Sequence, residues 1–160
     1  MKFGGSALLP LNAALYKKGD KMERFAYLDT WDKLTPEVFN AVFHYALNIA
    51  KDNNKELTLV VNNVAQCSDF ISKFLDQTTT NKLAKGVTLQ FQGVSVNLKS
   101  PFSIKSYQSY GVFCAFHPSN KALENMESST SPVAVVILGE QEEHFTSWLS
   151  EKSGKLLKQG

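Results

Sequence analysis

The 160-residue chain holds two cysteines, Cys67 and Cys114. That is too few for a disulfide framework. Cys114 lies inside the apolar run 112–116, where a thiol is a core group, so a reducing, cytoplasmic compartment is expected. Charge of one sign is also missing. Seventeen Lys and Arg face fifteen Asp and Glu, a net charge of +2. So small an excess weighs against nucleic acid or an acidic membrane as partner. No apolar run is long enough to span a bilayer. The stretch 3–16 follows Lys2, but Pro10 and Asn12 interrupt it and Lys17 and Lys18 follow, which makes a poor secretion signal. There is no internal repeat, no Walker sequence and no G-x-G-x-x-G. The three histidines, His44, His117 and His144, lack metal-ligand spacing, and no metal or cofactor is expected.

What is present reads as one α/β domain over 1–160. Its 43% hydrophobic and 20% charged residues are globular values, and a chain this long buries about two-thirds of its unfolded surface. Spacing at Leu8, Leu11, Ala14 and Leu15 fits a short helix. Residues 25–28 form a strand candidate. Thr35-Pro36-Glu37 opens a helix over 36–52, with a cap, a first-turn proline and an acid at the positive dipole end. Its polar stripe takes in Glu37, Asn40, His44, Asn48 and Lys51. Residues 57–61, 112–116 and 133–138 are continuous apolar runs, as strands covered on both faces require. Helical patterns follow them over 67–84, from 119, and from 140.

The sharpest local signal is at 87–98. Two alternating runs flank Gln92-Gly93, a loop length that favours a tight hairpin. In that register Phe91 faces Val94, Leu89 faces Val96 and Val87 faces Leu98, with every polar neighbour on the opposite face. The polar face points to the edge of the sheet. The fold class is therefore a mixed, mostly parallel sheet with an antiparallel edge hairpin over 87–98 and flanking helices.

Lys2-Phe3-Gly4-Gly5-Ser6 resembles the opening of the amino-acid kinase family, where a strand runs into a glycine loop near the phosphates of ATP. The likeness covers five residues of the 160. No second glycine-rich phosphate loop follows, so it implies no role for any residue here.

Two places carry candidate chemistry. Ligands of open α/β sheets bind beyond the carboxyl ends of the strands. Those ends and the following helix starts offer Asp29, Asn62, Asn63, Cys67, His117, Ser119 and Asn120, although such residues also serve there as caps and turn formers. The helix after His117 lacks an early acid and is the better place for an anion. A Cys67–His117 pair could act as nucleophile and base if the fold brought them together. The second place is 99–110, where Phe102, Lys105, Tyr107 and Tyr110 could form an interaction surface. Aromatics covering the sheet are the competing reading. The sequence leaves catalysis open. It points first to a small non-catalytic binding module that associates with itself or a protein partner. The alternative is a small enzyme or nucleotide-binding domain with its pocket at the strand ends.

Overall fold

The computed structural model describes residues 11–12, 22–63, 65–130 and 132–159. In chain order these form β1 (Leu11–Asn12), β2 (Glu23–Leu28), α1 (Pro36–Asp52), β3 (Leu57–Val60), α2 (Ala65–Phe70) and α3 (Gln77–Ala84). There follow β4 (Leu89–Phe91), β5 (Val94–Lys99), β6 (Val112–Phe116), α4 (Asn120–Ser128), β7 (Ala134–Gly139), α5 (Glu143–Glu151), β8 (Lys155–Leu156) and β9 (Lys158–Gln159). The Lys2–Ser6 stretch with the kinase likeness lies outside the described residues. So does most of the expected helix at 8–15. Its two described members, Leu11 and Asn12, pair instead as a strand with β9.

Seven strands make one sheet in the order β4-β5-β3-β6-β7-β2-β8. All its pairings are parallel except β4 with β5. The apolar runs arise because β6 and β7 are buried at every position, with a core on each face. Phe39, Phe43, Phe74 and Phe116 fill the first face beneath α1 and the α2–α3 segment. Phe113, Ile137, Phe145 and Trp148 fill the second beneath α4 and α5. The crossovers from β2 to β3 and from β3 to β5 step one way over the first face. Those from β5 through β6 and β7 to β8 step the other way over the second. One hand serves all of them, and the winding reverses between β3 and β6.

Helix α1 begins and ends where its cap signals place it. Thr35 Oγ1 accepts the Val38 amide at 3.3 Å, and Pro36 occupies the first turn. Its solvated stripe is narrower than the pattern implies: Asn40 is buried and His44 is half-buried. The helix lies across the middle of the sheet, against β6 and β7, so its flanks are covered too. The 67–84 region is not one helix. It divides into α2, a 3-10 turn at Ile71–Lys73, and α3, because Asp76 starts a new helix by accepting the Thr79 amide at 2.7 Å.

The hairpin keeps its expected register at Phe91↔Val94 and Leu89↔Val96. Gln92 and Gly93 take φ of 51° and 82°, the left-handed pair of a primed turn. Val87 leaves the ladder, since its amide bonds to the Lys82 carbonyl at 3.0 Å. Of the two hairpin strands, β4 alone lies at the edge, because β5 pairs onward with β3. The short parallel strand β8 had no signal strong enough to expect it. Among the described residues, no helix is long and apolar enough to cross a membrane.

Gly111 enters β6 beside the chain leading into β3. A Cβ there would lie 2.6 Å from the Lys55 Cβ and 2.9 Å from the Glu56 nitrogen, so only glycine fits. Phe116 is fully buried between the rings of Phe39 and Phe74, with centroids at 5.6 and 5.4 Å. Phe116→Ala is expected to lower unfolding free energy by about 3–5 kcal/mol, read as a lower urea midpoint with an unchanged slope. A loss below about 1 kcal/mol would mean that the first face is not packed around this ring.

Candidate functional site at the carboxyl edge of the sheet

Strands β3 and β6 end side by side where the winding reverses, the usual ligand crevice of such sheets. Leaving β6, His117 takes φ of 48°, a left-handed conformation uncommon for residues other than glycine. Its amide donates to the Leu138 carbonyl at 2.7 Å. Asn62, just beyond β3, reaches across. Its Nδ2 donates to the His117 carbonyl at 2.9 Å, and its Oδ1 accepts the Ser119 amide at 2.9 Å. Ser119 Oγ in turn caps α4, accepting the Ala122 amide at 3.1 Å. The structure therefore brings Asn62, His117 and Ser119 together, and their polar groups largely satisfy one another.

The His117 ring is the exception. It sits against Phe70 and Trp31, with centroids 5.4 Å away in each case. Nε2 is buried and has no hydrogen-bond partner among the described residues. Burial pushes the imidazole pKa below its ordinary value, while Glu140 and Glu142 pull weakly the other way. Trp31 is 49% exposed, and the Lys73 ammonium lies 5.7 Å from its centroid and 5.6 Å from that of Phe39. Neither Trp31 nor Lys73 was among the residues singled out from sequence. A lone tryptophan in the polar turn after β2 was the available signal for the first; nothing local marked the second.

The other candidates are dispersed. Asp29 Oδ1 accepts the Thr30 amide at 2.8 Å, a local turn contact. Asn63 is exposed and engaged in contacts of its own. Asn120 is exposed at the start of α4, on a groove of about 500 Å³ between α4 and α5. The Cys67 side chain lies outside the described residues, and with it the Cys67–His117 pairing. Burial pushes the Cys114 thiol far up, which keeps it protonated. Among the described residues, no three His, Cys, Asp or Glu side chains converge as a metal site.

The 100–110 loop, on the second face, is held firmly. Pro101 O accepts from Asn125 Nδ2 and Ser106 O from Thr130 Oγ1, each at 2.7 Å. Phe102 and Tyr107 are nevertheless 78% exposed. Lys105 is exposed, and its Nζ donates to the Phe102 carbonyl at 2.7 Å. Tyr110 corrects the expectation of four surface residues. It is buried against Phe113 at 5.0 Å between centroids, and its hydroxyl accepts the Lys105 amide at 3.0 Å and donates to Gln108 Oε1 at 2.8 Å. The ring is a pillar under the loop, with its phenol end closing these loop hydrogen bonds from below.

No family model, no curated protein and no solved structure matches the chain.

The depressed His117 pKa has a consequence of fixed sign. The unfolded histidine takes up a proton below about pH 6.5 that the folded one resists. Stability is therefore expected to fall as pH drops below that value toward the folded pKa. His117→Asn, which tolerates the left-handed backbone, should flatten this part of the curve. Denaturation from pH 8 to 5 checks it (about three units spanning the histidine range). Identical slopes in the two chains would place the effect elsewhere.

Proposed function

We propose that this chain is a non-catalytic interaction module that associates with a second copy of itself through the 100–110 loop and the adjoining hairpin edge. The observation that carries this reading is the exposure of Phe102 and Tyr107, 78% each, on a loop tied down from beneath. Large apolar groups on a pre-ordered segment lose little entropy on contact, which is what interface anchors need. Each aromatic side chain can bury roughly 150–250 Å². A two-fold axis presents four of them, so the aromatics alone supply roughly 600–1,000 Å². With their flanking residues that reaches the size of a specific interface. The near-neutral charge opposes neither copy.

Sedimentation velocity over rising concentration tests it. The unsubstituted chain should pass from monomer to dimer, and the double variant Phe102→Ser, Tyr107→Ser should remain monomeric with an unchanged circular dichroism spectrum. A chain still monomeric at about 0.5 mM, where even weak pairs populate, overturns the reading. So does a double variant that dimerises equally well.

One observation favours a second reading, in which a small anionic ring compound binds at the carboxyl edge. Trp31 offers an exposed ring, Lys73 a cation beside it, and His117 a buried nitrogen without a partner among the described residues. Nucleotide titration that leaves the amides of residues 117–122 and the Trp31 indole unmoved counts against it.

A further inference from the structure

The two edges of the sheet are built differently. At one, β8 is two residues long and carries Lys155, whose Nζ meets Glu23 Oε2 at 3.0 Å. A lysine in a very short strand is one way that sheets keep other strands away. At the other edge, β4 has no such guard. Residues 86–98, the whole hairpin, hold no charged residue in a chain that is 20% charged. They hold no proline either, and the β4–β5 register runs without a bulge. Among the described residues, β4 pairs only with β5.

The hairpin turn fixes which backbone groups of β4 face outward. Phe91 and Val94 flank a two-residue loop, so they exchange both their bonds, and Leu89 and Val96 do the same further along. The amide and carbonyl of Gln90, and by the same alternation those of Thr88, therefore point away from β5. No backbone partner meets them among the described residues. The side chains alternate in step. Val87, 42% exposed, shares the first face with Leu89 and Phe91, which pack partly on that core. Thr88 and Gln90 are exposed on the second face. Residues 87–91 thus read apolar, polar, apolar, polar, apolar, the same in either direction. Such a strand is complementary to itself when reversed.

We propose that β4 pairs antiparallel with β4 of a second copy, about a two-fold axis through Leu89, so that the two sheets become one. Thr88 exchanges both backbone bonds with Gln90 of the second copy, and Gln90 does so with its Thr88. On the first face Leu89 meets Leu89, and Val87 is covered by Phe91 of the second copy. On the second face Thr88 stands opposite Gln90. A one-residue slip would oppose apolar side chains to polar ones. No charge within the strand has to be desolvated. The pairing rests on the self-association proposed for this chain and gives it a geometry. Thr88 lines one cavity with Gln108, Ser109 and Tyr110, so the 100–110 loop lies along this edge. The axis sets the loops of both copies on one side of the joined sheet.

Charge placed on the outward positions tests it. Thr88→Lys with Gln90→Lys sets like charges directly opposite one another across the axis, and Thr88→Glu with Gln90→Glu does the same with the other sign. Both positions are exposed, so each chain should keep the circular dichroism spectrum and melting curve of the unsubstituted one. In sedimentation velocity each variant should associate at least about tenfold more weakly than the unsubstituted chain, whereas an equimolar mixture of the two should restore the dimer. Hydrogen exchange adds a backbone readout. On dimerisation the Thr88 and Gln90 amides should slow at least about tenfold, and the Leu89 amide, already bonded to β5, should not. Two results overturn the pairing while leaving self-association in place: a lysine variant that dimerises as well as the unsubstituted chain, or a mixture of the two monomeric variants that fails to dimerise. An unsubstituted chain still monomeric at about 0.5 mM overturns self-association itself, and the pairing with it.

Discussion

Strands covered on both faces have nowhere to send their backbone amides except to one another. In β6 and β7 every residue is buried, so each pairing in the centre of the sheet is obligatory. The polar requirements that the centre cannot meet are displaced to the strand ends. There the chain must turn, reverse its winding and cap a helix within a few residues. Asn62 answers several of these demands at once by joining the end of β3 to the turn after β6. The left-handed His117 and the capped start of α4 follow from that junction.

The same constraint explains what could be read in the sequence. Short, β-branched apolar runs without alternation fit strands buried on two sides, so 57–61, 112–116 and 133–138 were legible. Helix α1 was legible because Thr35 and Pro36 act locally, and the hairpin because a one-residue slip would turn Phe91 and Val94 outward. Strand order was not legible, since β2 lies between β7 and β8 for reasons spread over both cores. Nor was β8, whose two paired residues owe their place to the edge of β2. Asn40 misled because its residue type is polar, whereas its position faces neighbouring elements.

For the candidate sites, sequence gave positions but not company. Asn62, His117 and Ser119 meet at the strand ends, and their polarity serves chiefly to hold the turn. Tyr110 and Tyr107 are chemically alike and three residues apart, but one is buried and the other exposed. Tyr110 packs on Phe113 beneath the loop, a contact visible only in the fold. Thr58 drew no attention at all within its apolar run. Its register partner across the ladder, Asn97, is visible only in the fold.

The small sheet formed by β1 and β9 gives the chain a mechanical character. Leu11 pairs with Gln159 and Asn12 with Lys158, antiparallel. A force drawing these two segments apart from their outer ends would open the bonds one after another, like a zip, rather than shear them together. The central parallel strands would feel no load until this weak clasp had parted, so the domain would yield from its seam inward.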